Sequence, residues 1–380
     1  MAEKLEKLIT FSASEENGKM FENIVLNTAE LAAAATYELY GDKGIIEKVE
    51  FSGLKDKSGE NFDAALAFAA SVSGMSVPTT KEQFAFCMDN ATFRSVMNSI
   101  VARTLSTMMV KYRCPQLDAI VDRIRVGIGD SWTGEVVSKA LPVAQRGSYG
   151  SNNSSVFQEA KTGVTITPKP MVIGKSLDYI RLFAGKYDWA FHIAKVYAGL
   201  MFAKYQLAVN AYYNNVAIQS TPFYQANFTA AAYTQLASDI KMFAGEDDLT
   251  AYGTLVAWNA VSALASQGGF TTKDDYIRNA FLQKIYGIDS MILAQFTNAA
   301  APFTSGNAST LRTIPDNKIL LVVGGADKPV KIVEEDYIRV KEVDANDNNL
   351  NRMEYVFTQS FDAGVVSANP FGLIGTTAGA

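Results

Sequence analysis

The sequence predicts an α+β protein in which one long helix stands between an extended hairpin and a carboxyl-terminal series of strands. Apolar residues recur at steps of three and four from about Asp188 to Asn214, which is typical of a helix with one buried stripe. The predicted stripe consists of Trp189, Ile193, Val196, Leu200, Ala203, Leu207 and Ala211. A helix of about 27 residues spans roughly 40 Å, which makes it a strut across the molecule.

The composition is that of an ordinary folded protein. The chain has 380 residues, 48% hydrophobic and 19% charged, with a formal net charge of −5. This length predicts about two to three domains. No apolar run approaches the roughly 18 residues of a membrane span, and the amino terminus lacks the apolar segment of a signal peptide, so no membrane association is predicted. The acidic balance predicts that any contact with DNA is weak.

The amino-terminal third is predicted to be helical. Asn17–Leu39 reads as an amphipathic helix, Asn61–Ser71 as a second helix, and Lys81–Lys111 as a third helical pattern. The two cysteines, Cys87 and Cys114, have no metal-ligand spacing. They are predicted to be buried, reduced thiols without a disulfide.

A long hairpin is predicted next. Val121–Ile128 alternates with period two, Trp132–Val143 continues extended, and Val164–Ile173 returns after the turn-forming stretch Arg146–Ser155. Arms of about a dozen residues reach some 40 Å, so the tip is predicted to project away from its own domain.

The region after the strut helix mixes helices and strands. Phe228–Phe243 is predicted to be helical, Thr254–Trp258 strand-like, Asn259–Ser266 a short helix, and Thr272–Ile285 a capped helix ended by Gly287. The strands predicted after this region are Lys318–Val323, Val330–Val333, Tyr337–Val343, Met353–Phe361 and Ala363–Phe371.

Candidates for catalysis or ligand binding are few. His192 is the chain's one histidine, and its place on a helix flank favours a structural role. Gly324-Gly325 follows an apolar strand but lacks the lysine and helix of a phosphate loop. Asp344–Asn349 resembles the start of a calcium loop without its required glycine and final glutamate. The sequence therefore predicts no catalytic, cofactor or metal site and no enzyme.

Tyrosines of the strut helix support two interpretations. Tyr187, Tyr197, Tyr205, Tyr212 and Tyr213 belong either to an aromatic core or to contacts with neighbouring subunits, where tyrosine is favoured.

Three stretches, in this order, carry a resemblance to a known family. They are Arg146–Phe157 with its return Val164–Ile173, the helix at Lys186–Asn215, and the ending Arg352–Ile374, which contains Asp362-Ala-Gly-Val-Val and Phe371. In this arrangement the chain resembles the major capsid proteins of tailed bacteriophages with the Hong Kong 97-type fold. The resemblance implies an E-loop hairpin, a spine helix, an A-domain and a P-domain.

The implied organisation has five parts. They are an amino-terminal arm and helical region (1–120), a P-domain strand with the E-loop (121–180, tip about 145–158), the spine helix (181–220), the A-domain (221–312) and the P-domain β-rich return (313–380).

The resemblance also implies a function. Copies of the chain would form pentamers and hexamers of an icosahedral phage head that encloses double-stranded DNA, with portal, scaffolding and possibly decoration proteins as partners. The chain would be assembled in the host cytoplasm and reside in the virion, and no large cleaved amino-terminal scaffolding segment is expected. The residues predicted at subunit contacts are Arg146, Tyr149, Asn152, Phe157, Tyr187, Tyr205, Asp274 and Arg278.

Two other interpretations stay open at this point. An encapsulin-like nanocompartment shell shares the same fold, and a soluble α/β enzyme or binding module is the weaker alternative.

Overall fold

A computed structural model describes most of the chain. The described residues are 15–49, 52–137, 161–178, 188–215, 218–219, 221–266, 283–296, 312–325, 327–343, 352–366 and 370–377. They form helices, a five-stranded sheet, a six-stranded sheet and a two-stranded hairpin. This confirms the predicted α+β class. Among the described helices, none combines the length and apolar character that a membrane crossing requires.

Helices occupy the described chain up to the first strand. They are α1 (Glu15–Tyr40), α2 (Leu54–Ser73), α3 (Lys81–Asp89), α4 (Ala91–Lys111) and α5 (Pro115–Ile120). The first of these confirms the predicted helix at 17–39, whereas α2 begins seven residues earlier than predicted.

The predicted pattern Lys81–Lys111 is two helices and not one. Thr80 and Gln83 form a reciprocal capping box at the start of α3. Asn90 then leaves helical geometry, and its side chain accepts hydrogen bonds from the amides of Thr92 and Phe93. Because this side chain satisfies amides that begin a new helix, α4 starts as a separate helix after Asn90.

The first sheet collects strands from distant parts of the chain. Its members are β1 (Val121–Val126), β4 (Lys169–Asp178), β10 (Val330–Glu335), β11 (Arg339–Val343) and β12 (Arg352–Val365). β1 pairs in parallel with β10, while β12 is antiparallel to β4, β10 and β11. The hairpin arms are β2 (Trp132–Val137) and β3 (Lys161–Ile166), which pair antiparallel. The predicted hairpin is therefore confirmed at its base, and its tip lies outside the described residues.

Helix α6 (Trp189–Tyr213) is the predicted strut. Asp188 caps it by accepting a hydrogen bond from the Ala190 amide at 2.9 Å. The predicted stripe is correct only in the first half of the helix. Further along, Leu207 and Ala211 are half-buried while Lys204 and Tyr212 are buried. The helix contacts both α1 and β12, so it is enclosed on more than one side and no single stripe describes it.

The second sheet has the order β5-β13-β9-β6-β8-β7. Its strands are β5 (Tyr224–Gln225), β6 (Leu249–Gly253), β7 (Lys284–Ile285), β8 (Ile288–Ile292), β9 (Lys318–Val323) and β13 (Gly372–Gly375). Helices α7 (Ala230–Ala244) and α8 (Leu255–Ser266) complete what we call the second sheet unit. β9 and β13 belong to this sheet, so the predicted division at residue 312 does not follow the strand pairing.

In the second sheet unit one prediction is wrong, and another is wrong at its end. The strand-like run Thr254–Trp258 is the start of α8, because the Thr254 hydroxyl accepts a hydrogen bond from the Ala257 amide and caps the helix. The helix predicted at Thr272–Ile285 does not extend to its end, since Lys284 and Ile285 form β7. Residues 267–282 lie outside the described part of the chain.

Strand β9 separates two apolar cores. Leu320 and Val322 belong to the core that contains α6 and the amino-terminal helices. Ile319, Leu321 and Val323 belong to the core beneath α7 and α8. Successive side chains of a strand point to opposite faces, so the uninterrupted apolar run of β9 reflects burial on both sides.

Candidate subunit interface

Most residues predicted at subunit contacts lie outside the described chain. This applies to Arg146, Tyr149, Asn152, Phe157, Tyr187, Asp274 and Arg278. Their role stays a prediction.

The observed position of Tyr205 contradicts its predicted place at a subunit contact. Its side chain is 2% exposed, its ring meets Phe296 edge-on at 5.2 Å between centroids, and its hydroxyl donates to the Ala294 carbonyl at 3.4 Å. Tyr197, Tyr212 and Tyr213 are buried as well. The core interpretation of these tyrosines is therefore correct, because the strut is enclosed by its own subunit.

His192 is buried in a narrow apolar pocket beside Trp189 and Phe357. Burial, reinforced by the charges of Lys175 and Lys195, lowers the pKa of His192 to about 3. The imidazole is neutral at physiological pH, and its setting agrees with the structural role that the sequence favoured.

In the described part of the chain, Gly324-Gly325 does not form a phosphate-binding loop. A side chain at Gly324 would collide with the Asp248 carboxylate, and one at Gly325 with that of Glu246. Acidic neighbours repel an anion, so the pair serves close packing. Asp344–Asn349 lies outside the described residues. Cys87 and Cys114 are buried free thiols, and burial raises the pKa of Cys114 to about 11.

A buried ion cluster joins α6 to the first sheet. Lys204 of α6 is fully buried and pairs with Glu334 of β10, whose side chain is 2% exposed. Arg123 of β1 donates to the same carboxylate at 2.9 Å, and Arg125 donates to the Met109 carbonyl of α4 at 2.9 Å. Burial alone would raise the pKa of Glu334, but the charges of Lys204 and Arg123 outweigh it and lower the pKa to about 2. The Glu334 carboxylate therefore stays ionised, whereas burial lowers the pKa of Lys204, and the contacts of the cluster fix α6 against β1 and β10.

Exposed large hydrophobic side chains are concentrated in the second sheet unit. Those in it are Met242, Phe243, Leu255, Val256, Tyr286, Met291 and Ile292. The others are spread over the rest of the described chain. A concentration of exposed apolar side chains is typical of a surface that contacts another protein.

One part of this exposed surface is concave. The α7 groove, of about 570 Å³, lies between the end of α7 and the turn that joins β7 to β8. Lys241, Met242, Asp247, Tyr286 and Ile288 are among its lining residues, and Met242 is 68% exposed.

The turn beside the groove has unusual backbone geometry. Tyr286 has φ of 50° and Gly287 has φ of 81°, between the paired residues Ile285 and Ile288. Two positive φ values define a tight hairpin turn of a type that favours Asn-Gly. A bulky tyrosine in this conformation is uncommon and strained. The sequence signal was the adjacent Gly287, which was interpreted as a helix end.

The second part is the strand-end patch, made of Leu255, Val256, Met291 and Ile292. β6 and β8 are parallel neighbours, with Gly253 opposite Ile292. Helix α8 starts directly after β6, so its first turn lies at the same end of the sheet as the last residues of β8. Sequence reasoning missed this patch because Thr254–Trp258 was interpreted as a strand.

A protein-family comparison identifies the chain. The model of the family described as "SPbeta prophage-derived putative capsid protein YonB" matches residues 45–375. The chain belongs to this capsid-protein family. It is therefore a structural protein of a phage virion and not an enzyme, which confirms the predicted class of function.

Solved structures similar to the capsid protein are remote in sequence. A structure titled "Capsid of native GTA particle computed with C5 symmetry" has 14% identity and a TM-score of 0.49, over 70% of this chain and 90% of that chain. One titled "Microbacterium phage Oxtober96" has 13% identity and a TM-score of 0.46, over 68% and 90%. One titled "Asymmetric unit of bacteriophage PhiM1 mature capsid" has 12% identity and a TM-score of 0.45, over 68% and 86%. Because the TM-scores are below 0.5, the assignment depends on the family match.

Among curated protein sequences, no significant match to the capsid protein is found.

Proposed function

We propose that this protein is the major capsid protein of a tailed phage, whose copies assemble into pentamers and hexamers and close into an icosahedral head around double-stranded DNA. The observation that carries the proposal is the capsid-family match over residues 45–375. Identical copies in closed symmetry need surfaces that complete one another, and the exposed apolar side chains of the second sheet unit supply such surfaces.

Each projecting part has a proposed place in the shell. The second sheet unit contains most of the predicted A-domain and would meet its copies around the centre of each pentamer and hexamer. The hairpin based on β2 and β3 would lie across a neighbouring subunit, with the contact made by residues near its tip at 145–158. The amino-terminal region would pass between neighbouring pentamers and hexamers and contact both.

Contacts with DNA are proposed to be weak and independent of sequence. A net charge of −5 gives the subunit no overall attraction to phosphates. Portal and scaffolding proteins, with decoration proteins as a further candidate, complete the proposed set of partners, and assembly is proposed to take place in the host cytoplasm.

Electron microscopy of the purified protein tests the proposal. Closed shells, filled with DNA when isolated from virions, are expected. Shells filled with protein cargo would instead support an encapsulin-like nanocompartment, and a solitary particle under all ionic conditions would support a soluble binding protein or enzyme.

Deleting residues 147–155 tests the hairpin. We expect a folded subunit with near-normal circular dichroism that fails to assemble. Shells formed at the wild-type yield would show that the tip does not clamp subunits together.

A further inference from the structure

We infer that the narrow pocket around His192 binds one ordered water molecule, held by the indole N–H of Trp189 and the imidazole of His192. We call this space the His192 pocket. The inference concerns the inside of a single subunit, so it does not depend on how copies of the chain associate.

The His192 pocket lies where α6 meets the amino-terminal helices and the first sheet. Phe62 of α2, Asn98 of α4 and Phe357 of β12 line it together with Trp189 and His192. Its volume is about 20 Å³. A bound water molecule requires at least roughly 10–15 Å³ of such space. The pocket therefore has room for one water molecule.

Trp189 supplies a buried donor without a partner. Its side chain is 5% exposed, and its Nε1 atom has no hydrogen-bond partner in the described segments. The indole ring packs against Phe62 at 5.3 Å between centroids, so its surroundings are largely apolar. A buried donor that leaves solvent and gains no partner costs stability, whereas immobilising one water molecule generally costs less. An acceptor in the pocket would therefore stabilise the subunit.

His192 supplies the second ligand. It follows Trp189 by three positions, and residues at this spacing share one face of a helix. Because burial lowers the pKa of His192 to about 3, the imidazole is neutral, with one donor and one acceptor nitrogen. An indole N–H can only donate. A water molecule that accepts from Trp189 can donate to the acceptor nitrogen of His192, and Asn98 can take a further hydrogen bond.

The charges around the pocket favour a neutral ligand. The Lys175 ammonium donates to the His192 backbone carbonyl at 2.9 Å, and the charges of Lys175 and Lys195 both act on the imidazole. This positive charge opposes a bound cation. Water is the smallest neutral molecule that both accepts and donates hydrogen bonds, as the two ligands require.

Cross-peaks between water and indole protons test the site in solution. The chain has three tryptophans, so labelling with ¹⁵N-tryptophan gives three indole N–H signals from the full-length, unassembled subunit. We expect a nuclear Overhauser cross-peak between water and the Trp189 indole proton, whose signal Trp189→Phe identifies by removing it. Trp258 is the matched control, because it is fully buried and its Nε1 donates to the Met291 carbonyl at 2.9 Å. Its indole proton should show no such peak.

Three variants identify the second ligand. His192→Leu removes the acceptor nitrogen and keeps an apolar side chain in the pocket, so the Trp189 cross-peak should be lost. His192→Gln keeps an acceptor and should retain it. Tyr355 also lines the pocket, and its hydroxyl proton exchanges with solvent and can imitate a bound water molecule. The cross-peak should therefore persist in Tyr355→Phe. Circular dichroism checks that each variant is folded.

Three outcomes would overturn the inference. A wild-type subunit without a cross-peak at Trp189 would show that the pocket is dry, and loss of the peak in Tyr355→Phe would assign it to the hydroxyl. A peak that survives in folded His192→Leu would show that His192 is not a ligand. If His192→Leu does not fold, the wild-type protein and Tyr355→Phe decide whether water is bound. All of these outcomes leave the proposed capsid function intact.

Discussion

Two regions of the molecule treat polar and apolar groups in opposite ways. One is α6 with the first sheet, and the other is the second sheet unit. Under α6 the molecule encloses charged groups, pairing Lys204 with Glu334 and Arg123. At the ends of the second sheet it leaves apolar side chains such as Met242 and Val256 exposed. The first region satisfies its groups within one subunit, whereas the second has surface that another protein would cover. The contrast separates what makes the subunit fold from what makes it associate.

Glu334→Gln should destabilise the subunit more than any other variant proposed for it. It removes the carboxylate and leaves Lys204 buried without its ion partner, which we expect to lower the free energy of unfolding by about 3–5 kcal/mol. Urea denaturation of the unassembled subunit measures this. Asp336→Asn is the control, because Asp336 is exposed and lies 3.6 Å from Arg125, and it should change stability by less than about 0.5 kcal/mol. Equally small effects of both variants on the free energy of unfolding would show that the buried ion cluster does not stabilise the subunit.

The stability of the subunit should fall as the pH is lowered from 6.5 to 5. Unfolded His192 binds a proton in this range, whereas folded His192 has a pKa of about 3 and stays neutral, so protonation favours the unfolded state. The expected loss is about 2 kcal/mol. Glu334 does not contribute here, because its stabilisation is lost only below its unfolded pKa, near 4.5.

His192→Gln supplies the control for this pH dependence. The chain has one histidine, so the variant should show a nearly flat stability between pH 6.5 and 5 in urea titrations. If the stability of the variant depended on pH as steeply as that of the wild-type protein, groups other than His192 would cause the dependence.

Tyr205→Phe tests whether Tyr205 of the strut belongs to the core of its own subunit. It removes a hydroxyl that donates to the Ala294 carbonyl, so we expect a loss of about 0.5–1.5 kcal/mol in the unassembled subunit with assembly yield unchanged. Reduced assembly without a change in subunit stability would instead place Tyr205 at a contact between copies.

Replacing Leu255 and Val256 together by serine should have the smallest effect on the isolated subunit. Both side chains are exposed, so the free energy of unfolding should change by less than about 0.5 kcal/mol while the yield of shells falls sharply. Light scattering reports assembly, and Val110→Ser on α4 is the matched exposed control. Normal shells from the double variant would remove the patch from the list of association surfaces.

Local sequence patterns predicted elements well where one local signal was sufficient. The strut helix was predicted within one residue of each end, because Asp188 is a good cap and the apolar spacing is helical over its length. Strand β9 was predicted with its observed limits, since an apolar run between turns has few other interpretations. Thr254–Trp258 was misassigned because a short apolar run can begin a helix as readily as form a strand, and the deciding hydrogen bond to Thr254 is a local detail.

The sequence by itself determined the mixed fold class, the strut and the base of the hairpin, because periodicity and the order of elements are properties of the chain. The capsid family was indicated by a resemblance and is shown by the family match over residues 45–375. Only the tertiary structure decided which side chains are enclosed. Tyr205 and Lys204 are buried because α1, β10 and β12 close around α6, and Leu255 and Met291 lie at the same end of the second sheet because β6 and β8 pair in parallel. Burial and surface patches depend on contacts between residues far apart in sequence, and helical or strand periodicity carries no record of those contacts.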